Sequence, residues 1–173
     1  RLFNNILIPL NLRRQDTGTV ERAMQMAIQF NCDVHLLHVG KKPLLQLGGL
    51  SGKSVSHKVQ LYRMREKYAP MLAKGCMLHA HVTEGNPETM IAEYATIHHI
   101  DLVLAEKPAS LDINKLASKT NCAILSLVPN PVFNGIKNIV LPVGSYLPLR
   151  RILMATYLSK KFNAAIHLIA LTR

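Results

Sequence analysis

Eight histidines give this chain its most visible chemical potential. His79 and His81 stand two apart in an apolar run, and on a strand that spacing puts both imidazoles on one face; His35 and His38, three apart, point to opposite faces of theirs. A zinc site needs three or four convergent ligands, and no cysteine or carboxylate is spaced to complete a set around this pair, so no metal is expected. The bland assignment for His79 and His81 is a strand face partly covered by the second helix. His98-His99 suits a helix end, where a cationic imidazole meets the negative end of the helix dipole. Cys32, Cys76 and Cys122 are odd in number, widely spaced and without a CxxC, which indicates neither a disulfide framework nor a zinc ribbon. Each begins a strand and reads as small apolar packing in a reducing compartment.

Catalytic patterns are lacking. There is no G-x-S-x-G elbow, no H-E-x-x-H and no pair of acids whose spacing forces them together. Glu84, Glu88 and Glu106 fall near the carboxyl ends of strands, where acids serve equally well as caps or solvated loop residues, so no catalytic residue is assigned. Gly48-Gly49-Leu50-Ser51-Gly52-Lys53-Ser54 looks briefly like a phosphate loop, but the pattern ending at Ser54 requires glycine where Leu47 stands, and the nearest strand ends near Val39. It reads as a crossover loop, with Ser54 or Ser56 capping the helix that follows. The basic pairs Arg13-Arg14, Lys41-Lys42, Arg150-Arg151 and Lys160-Lys161 are scattered, and an aromatic content of 5% supplies no stacking platform, so they read as solvated surface and no nucleic-acid partner is expected. Arg13-Arg14 and Arg150-Arg151 each follow a first strand, where an anionic ligand or acidic partner is the minority reading.

The elements that must carry these residues recur in a simple order. Short runs rich in Ile, Val and Leu at Ile6 to Leu10, Val34 to Val39, Met77 to Val82, Leu102 to Ala105 and Ala123 to Val128 suit parallel strands covered on both faces. Between the first two, Val20, Ala23, Met24, Ala27 and Ile28 share one helical face. Leu61, Met64, Tyr68 and Leu72 make a second stripe, ended by Gly75. Asn86-Pro87-Glu88 opens a third helix with an N-cap, a proline at the first position and an acid near the positive end; its buried face should be Met90, Ile91, Tyr94, Ala95 and His98. A fourth, shorter helix uses Ile113, Leu116 and Ala117. The alternation argues a doubly wound α/β domain with right-handed crossovers.

Past the turn-rich Pro129-Asn130-Pro131 and Asn134-Gly135 the pattern restarts. Asn5-Ile6-Leu7-Ile8-Pro9-Leu10 matches Asn138-Ile139-Val140-Leu141-Pro142-Val143, and Phe30-Asn31-Cys32-Asp33-Val34-His35-Leu36 matches Phe162-Asn163-Ala164-Ala165-Ile166-His167-Leu168 with one residue fewer between them. Between these lie Leu149, Ile152, Leu153, Thr156 and Tyr157 on one helical face, which should pack on the first domain or on another chain, since a lone β-α-β cannot enclose a core. The domains are therefore read as 1–133 and 134–173. The charge divides the same way. Residues 1–112 carry thirteen Lys and Arg and all ten acids, whereas 113–173 carry eight and no acid, so most of the formal +11 lies late in the chain.

This order of motifs resembles the universal stress protein family. Ile6-Leu7-Ile8-Pro9-Leu10 is similar to its first strand, Glu84-Gly85-Asn86-Pro87-Glu88 to its Gly-x-Pro turn, Asp101-Leu102-Val103-Leu104 to its fourth strand and Asn121 to Val128 to its fifth. The resemblance implies a five-stranded parallel Rossmann-like sheet of the adenine nucleotide alpha hydrolase-like type, here followed by a partial β-α-β repeat, and association as a homodimer or an intramolecular pseudo-dimer. It also implies a ligand at the carboxyl ends of the strands, which places Pro9, Leu10, Asn11, Val39, Gly85, Glu106 and Lys107 at the site.

The chain departs from the family at the phosphate loop. A Gly-x-x-Gly pair followed about nine residues later by Gly-Ser or Gly-Thr normally follows the fourth strand and offers backbone N–H groups to phosphate. Here Ala105-Glu106-Lys107-Pro108-Ala109-Ser110-Leu111 stands there, with no glycine between Gly85 and Gly135. Asn11 replaces an Asp that often contacts the nucleotide, with Gly144 at the matching place of the repeat, and still donates and accepts hydrogen bonds. The expectation is a cytoplasmic, non-enzymatic stress-response regulator without a cofactor, binding an adenine nucleotide weakly at most. The alternative is a small-molecule or adenine-nucleotide sensing module, such as the cytosolic domain of a transporter. No membrane span is expected in this chain, and because Arg1 is not an initiator Met the sequence reads as part of a longer one.

Overall fold

Strands buried on both faces need helices on both sides, and the crossover rule decides which helix goes where. The computed structural model describes residues 2–12, 17–40, 52–106, 111–127, 135–144 and 148–170, without the side chains of 17–19, 52–55 and 106. Residues 3–132 and 133–173 form two compact units. In the first, β1 (Asn5–Leu10), β2 (Asp33–Gly40), β3 (Leu78–Glu84), β4 (Leu102–Glu106) and β5 (Ala123–Leu127) make one parallel sheet in the order β3-β2-β1-β4-β5. The chain steps from β1 outward to β3, then returns across β1 to β4. Right-handed crossovers therefore put α1 (Thr17–Phe30) and α2 (Gly52–Tyr68) on one face, and α3 (Pro87–Ile97) and α4 (Ile113–Lys119) on the other.

The side chains follow the strand period of two. Leu7, Leu37, Val103 and Ala105 face α3 and α4 and are packed with Ile91, Ala92, Tyr94, Ala95, Ile100 and Leu116. Their alternates Ile6, Ile8, Val34, Leu36, Leu102 and Leu104 are buried on the α1–α2 side with Val20, Ala23, Met24, Ala27 and Leu61. Burying side chains of this size is worth roughly 1.5–3 kcal/mol each relative to exposure, and it supplies the main favourable term here. Phe3 closes this side edge-on against Phe30, with ring centroids 5.2 Å apart.

Several details differ from the sequence expectation. The second helix begins at Gly52, so Ser54 and Ser56 lie inside it and do not cap it. It ends at Tyr68 in a 3₁₀ turn over Ala69–Met71 around Pro70, ahead of Gly75. Met90 is only half-buried and His98 is exposed, while Glu88 and Ala92 are buried: α3 leans on β1, β2 and α4, which turns those two inward. In α4 Leu116 is buried, but Ala117 faces outward.

The second unit is β6 (Asn138–Val143), α5 (Leu149–Phe162) and β7 (Ala165–Ala170), with the two strands parallel. Its geometry repeats the first. Asn5 pairs with Asp33 and Pro9 with Leu37; Asn138 pairs with Ala165 and Pro142 with Ile169, the same register position for position. The Asp33 N–H donates to the Asn4 carbonyl at 2.9 Å, and the Ala165 N–H donates to Lys137 at 2.9 Å. After each helix one asparagine takes the left-handed conformation, Asn31 at φ 54° and Asn163 at φ 53°. Asparagine tolerates this backbone better than most residues. The α5 residues buried within this unit are not those of the face read from the sequence, which is expected to meet the first domain or another chain. Leu149 and Leu153 are 68% and 64% exposed and Thr156 is exposed, whereas Ala155 and Leu158 are buried against the strands.

Candidate functional site

The strand order reverses between β1 and β4, and in open α/β sheets the crevice at the carboxyl ends of such strands is where ligands bind. Pro9 and Leu10 end β1 there, half-buried, and Asn11 follows, exposed. His38 holds this end from the neighbouring strand. Its Nδ1 lies 2.9 Å from the Leu10 carbonyl oxygen and 3.5 Å from the Leu12 nitrogen; one nitrogen cannot donate to the first and accept from the second, and the shorter contact makes it the donor. His57 of α2 packs edge-on against the same ring at 4.4 Å.

Val39 and Gly40 end β2, and the Gly85 N–H donates to the Gly40 carbonyl at 2.9 Å, carrying the ladder one step past β3. Gly85 has φ +149°, and a Cβ there would lie 3.0 Å from Met90 Cγ and 3.2 Å from its sulfur, so the turn into α3 demands glycine on two counts. Glu106 pairs with Leu127 in the sheet, but its side chain lies outside the described residues, as do Lys107, the Arg13-Arg14 and Lys41-Lys42 pairs and the segments 41–51, 107–110 and 128–134. Thus Pro9, Leu10, Asn11, Val39 and Gly85 lie at the carboxyl ends of the sheet, with the backbone of Glu106 at the end of β4.

The helix starts facing this end are closed by the protein's own oxygens. Asn86 Oδ1 accepts the Thr89 N–H at 3.1 Å and the Thr89 hydroxyl at 3.0 Å, and Pro87 has no N–H to offer. The buried Glu88 carboxylate accepts the Asp112 N–H at 3.0 Å, and Asp112 Oδ1 accepts the Lys115 N–H at 3.0 Å. Burial pushes the Glu88 carboxyl upward, but the Asp112 N–H, its own N–H, Lys115 and the Asn86 amide together hold it below the ordinary carboxylate range. The starts of α3 and α4 are therefore capped by acceptors, one of them a fixed negative charge. The sequence offers Glu88 as a cap at the start of the third helix but not as the partner of the Asp112 N–H; Asp112 just ahead of the Ile113–Leu116 stripe is the available signal.

The histidines divide as their spacing implies. His38 faces α2 and His35 faces α3, where Tyr94 Oη lies 3.1 Å from His35 Nδ1. His79 and His81 do not lie under the second helix as expected: the register sets them beside His35 and Leu37, on the α3 face. His98 does cap α3, but burial, then His81, His79 and His99, lower its pKa, the reverse of the cationic end expected from the helix dipole alone. Among the described residues no three His, Cys, Asp or Glu side chains are placed to hold a metal ion. Cys122 is held by burial above the ordinary thiol range, and Cys32 is buried. Among the described residues no helix is long and apolar enough to cross a membrane.

Residues 2–121 match the sequence model described as the universal stress protein family. Among solved structures, the chain is similar to universal stress protein UspA from Lactobacillus plantarum at 18% identity and a TM-score of 0.56, covering 72% of this chain and 97% of that one. It is similar to a functionally unknown protein from Pseudomonas aeruginosa PAO1 at 15% identity and a TM-score of 0.67, covering 97% of this chain and 60% of that one. A third, a family protein from Arabidopsis thaliana with AMP bound, shares 13% identity over 73% of this chain and 92% of its own, with a TM-score of 0.51. These likenesses are likenesses of fold. A search of curated proteins gave no match.

Proposed function

Because the chain belongs to the universal stress protein family, we propose that it is a non-enzymatic stress-response regulator that binds an adenine-type ligand weakly at the carboxyl ends of β1 and β4, without the family's grip on a phosphate chain. The bound AMP of the Arabidopsis thaliana protein supports the ligand class. The observation that carries the rest is the closure of both helix starts: the Thr89 and Lys115 N–H groups are taken by Asn86 and Asp112, and the Asp112 N–H by an ionised Glu88. A phosphate brought there would displace internal acceptors and meet a carboxylate. The stretch from Asn86 to Asn134 has no glycine, the residue that lets backbone N–H groups approach a phosphate most closely. The Asn11 amide carries both donor and acceptor groups of the kind that recognise adenine or ribose.

Calorimetric titration with adenosine, AMP, ADP and ATP tests this. Affinities should be weak and nearly level across the series; micromolar ATP binding that exceeds adenosine binding would overturn the reading.

Residues 134–173 belong to the same proposal as the opening of a second unit of the family fold. The shared β-α-β register and the matched Asn31 and Asn163 support it, and so does the Pseudomonas aeruginosa chain, 60% of which aligns with 97% of this one. Association as a homodimer or pseudo-dimer would cover Val140, Leu149, Leu153, Leu168 and Ile169. Sedimentation equilibrium of the 173-residue chain reads the dimer directly, and a strictly monomeric species would remove the homodimer.

A further inference from the structure

Four imidazoles and a phenol meet at the other end of the sheet. The parallel register of β2 and β3 sets His35 beside His79 and Leu37 beside His81, and α3 brings Tyr94 and His98 over them. His35 stacks on His79 with centroids 4.4 Å apart and planes 23° apart; it lies 5.5 Å from His98 and 5.7 Å from Tyr94. Tyr94 in turn lies 4.0 Å from His98 and 5.5 Å from His81. His35 is 5% exposed, and its buried Nε2 has no hydrogen-bond partner. His79 is half-buried, and His81 and His98 are exposed.

The charged surroundings are sparse. From β2 the patch sees Asp33, 3.9 Å from His79 Nε2, whose other oxygen accepts the Met77 N–H at 2.9 Å. β3 supplies His79 and His81, α3 supplies Tyr94 and His98, and His99 follows at the helix end. Among the described residues one carboxylate, Asp33, thus faces several imidazoles. Neutral rings at these distances gain from stacking, whereas protons on both rings of the His35–His79 or His35–His98 pair place like charges with centroids 4.4 or 5.5 Å apart, in a partly desolvated site that magnifies the repulsion.

We infer that the His35, His79, His81 and His98 patch is a proton-responsive clasp, which holds the end of α3 on edge strand β3 while the rings are neutral and releases it as they charge. Burial, then His79 and His98, lower the pKa of His35 to about 4 against an upward pull from Asp33, which fits an imidazole that resists its proton while the clasp is closed. The patch sits at the amino ends of β2 and β3 and the far end of α3 from Gly85, so the clasp does not depend on what binds at the opposite end.

Amide hydrogen exchange and imidazole NMR titration of the full chain, with chelator present and nucleotide absent, test the clasp between about pH 7.5 and about pH 5. Corrected for intrinsic rates, exchange over residues 78–84 and 91–97 should rise about tenfold or more relative to residues 6–10, one order per pH unit of linked protonation. The His79→Gln, His98→Gln double variant should lose most of that rise. His35→Phe, which keeps a ring against His79, should also flatten it; if it fails to fold, the double variant alone decides. An equal pH response in wild type and double variant, or a His35 ring that titrates in the ordinary imidazole range, would overturn the inference.

Discussion

Glu88 accepts the Asp112 N–H at 3.0 Å across 24 residues of chain, so a carboxylate from the first turn of α3 also starts α4. Lys119, at the other end of α4, returns to α3 through the Thr89 hydroxyl at 2.9 Å. The two helices on this face are thereby joined by polar contacts outside their shared apolar cluster around Ile91 and Leu116.

Glu88→Ala should cost about 1.5–3 kcal/mol, the range for hydrogen bonds to a charged group. Glu88→Gln keeps an acceptor and should cost less. Urea denaturation of the three proteins orders them; an alanine variant as stable as wild type would mean that water replaces the carboxylate without loss.

Gly85→Ala should destabilise by about 1–3 kcal/mol, because the left-handed φ is unfavourable to any Cβ and the Met90 side chain occupies its place. Adding Met90→Ala relieves the contact and leaves the backbone strain. The double variant should therefore lose less stability than the two single losses summed, and strict additivity would show that crowding contributes nothing.

Stability should fall steadily on acidification from the ordinary imidazole range downward. His35 has its pKa lowered from 6.5 to about 4 on folding, so the unfolded chain binds its proton more readily; this contribution is whole above pH 6.5 and is lost as pH falls from 6.5 towards 4. Glu88 has its pKa lowered too, so its contribution is present above the ordinary carboxylate range and disappears as pH drops through its folded value. Thermal unfolding followed by circular dichroism at stepped pH measures the sum, and His35→Phe should remove the upper part of the decline.

Asn31→Ala and Asn163→Ala should each cost about 1 kcal/mol, the penalty of a Cβ without a local hydrogen-bonding group in the left-handed region, while glycine at either position should be neutral or better. Hydrogen exchange resolves the two sites, since the first substitution should loosen β1 and β2 and the second β6 and β7.

What could be read from the chain, and what could not, has a physical pattern. Strands of a covered parallel sheet announce themselves as near-continuous apolar runs, so β1 to β5 were legible, and the repeated Asn-Ile-x-x-Pro strand carried the register of β6 and β7 with it. Strand parity separated His35 from His38 but could not say which helical layer lay on which side, hence the placing of His79 and His81 under α2. Burial of Glu88 was invisible because an acid in a first turn reads the same whether it is solvated or capping a second helix. Leu149 and Leu153 have a helical period but are exposed, and period alone does not reveal whether a face is covered.

The second unit also bears on the behaviour of the chain as a colloid. β7 exposes Ile166, Leu168 and Ile169 along one short strand, and the same unit exposes Lys137, Arg150, Arg151, Lys160 and Lys161, with no acid among residues 113–173 to pair with them. Mutual repulsion of these cations opposes contact between such strands, and it acts over only about 10 Å at roughly 0.1 M salt and less at higher concentration. Added salt should therefore turn a dispersed solution into one whose particles adhere through β7.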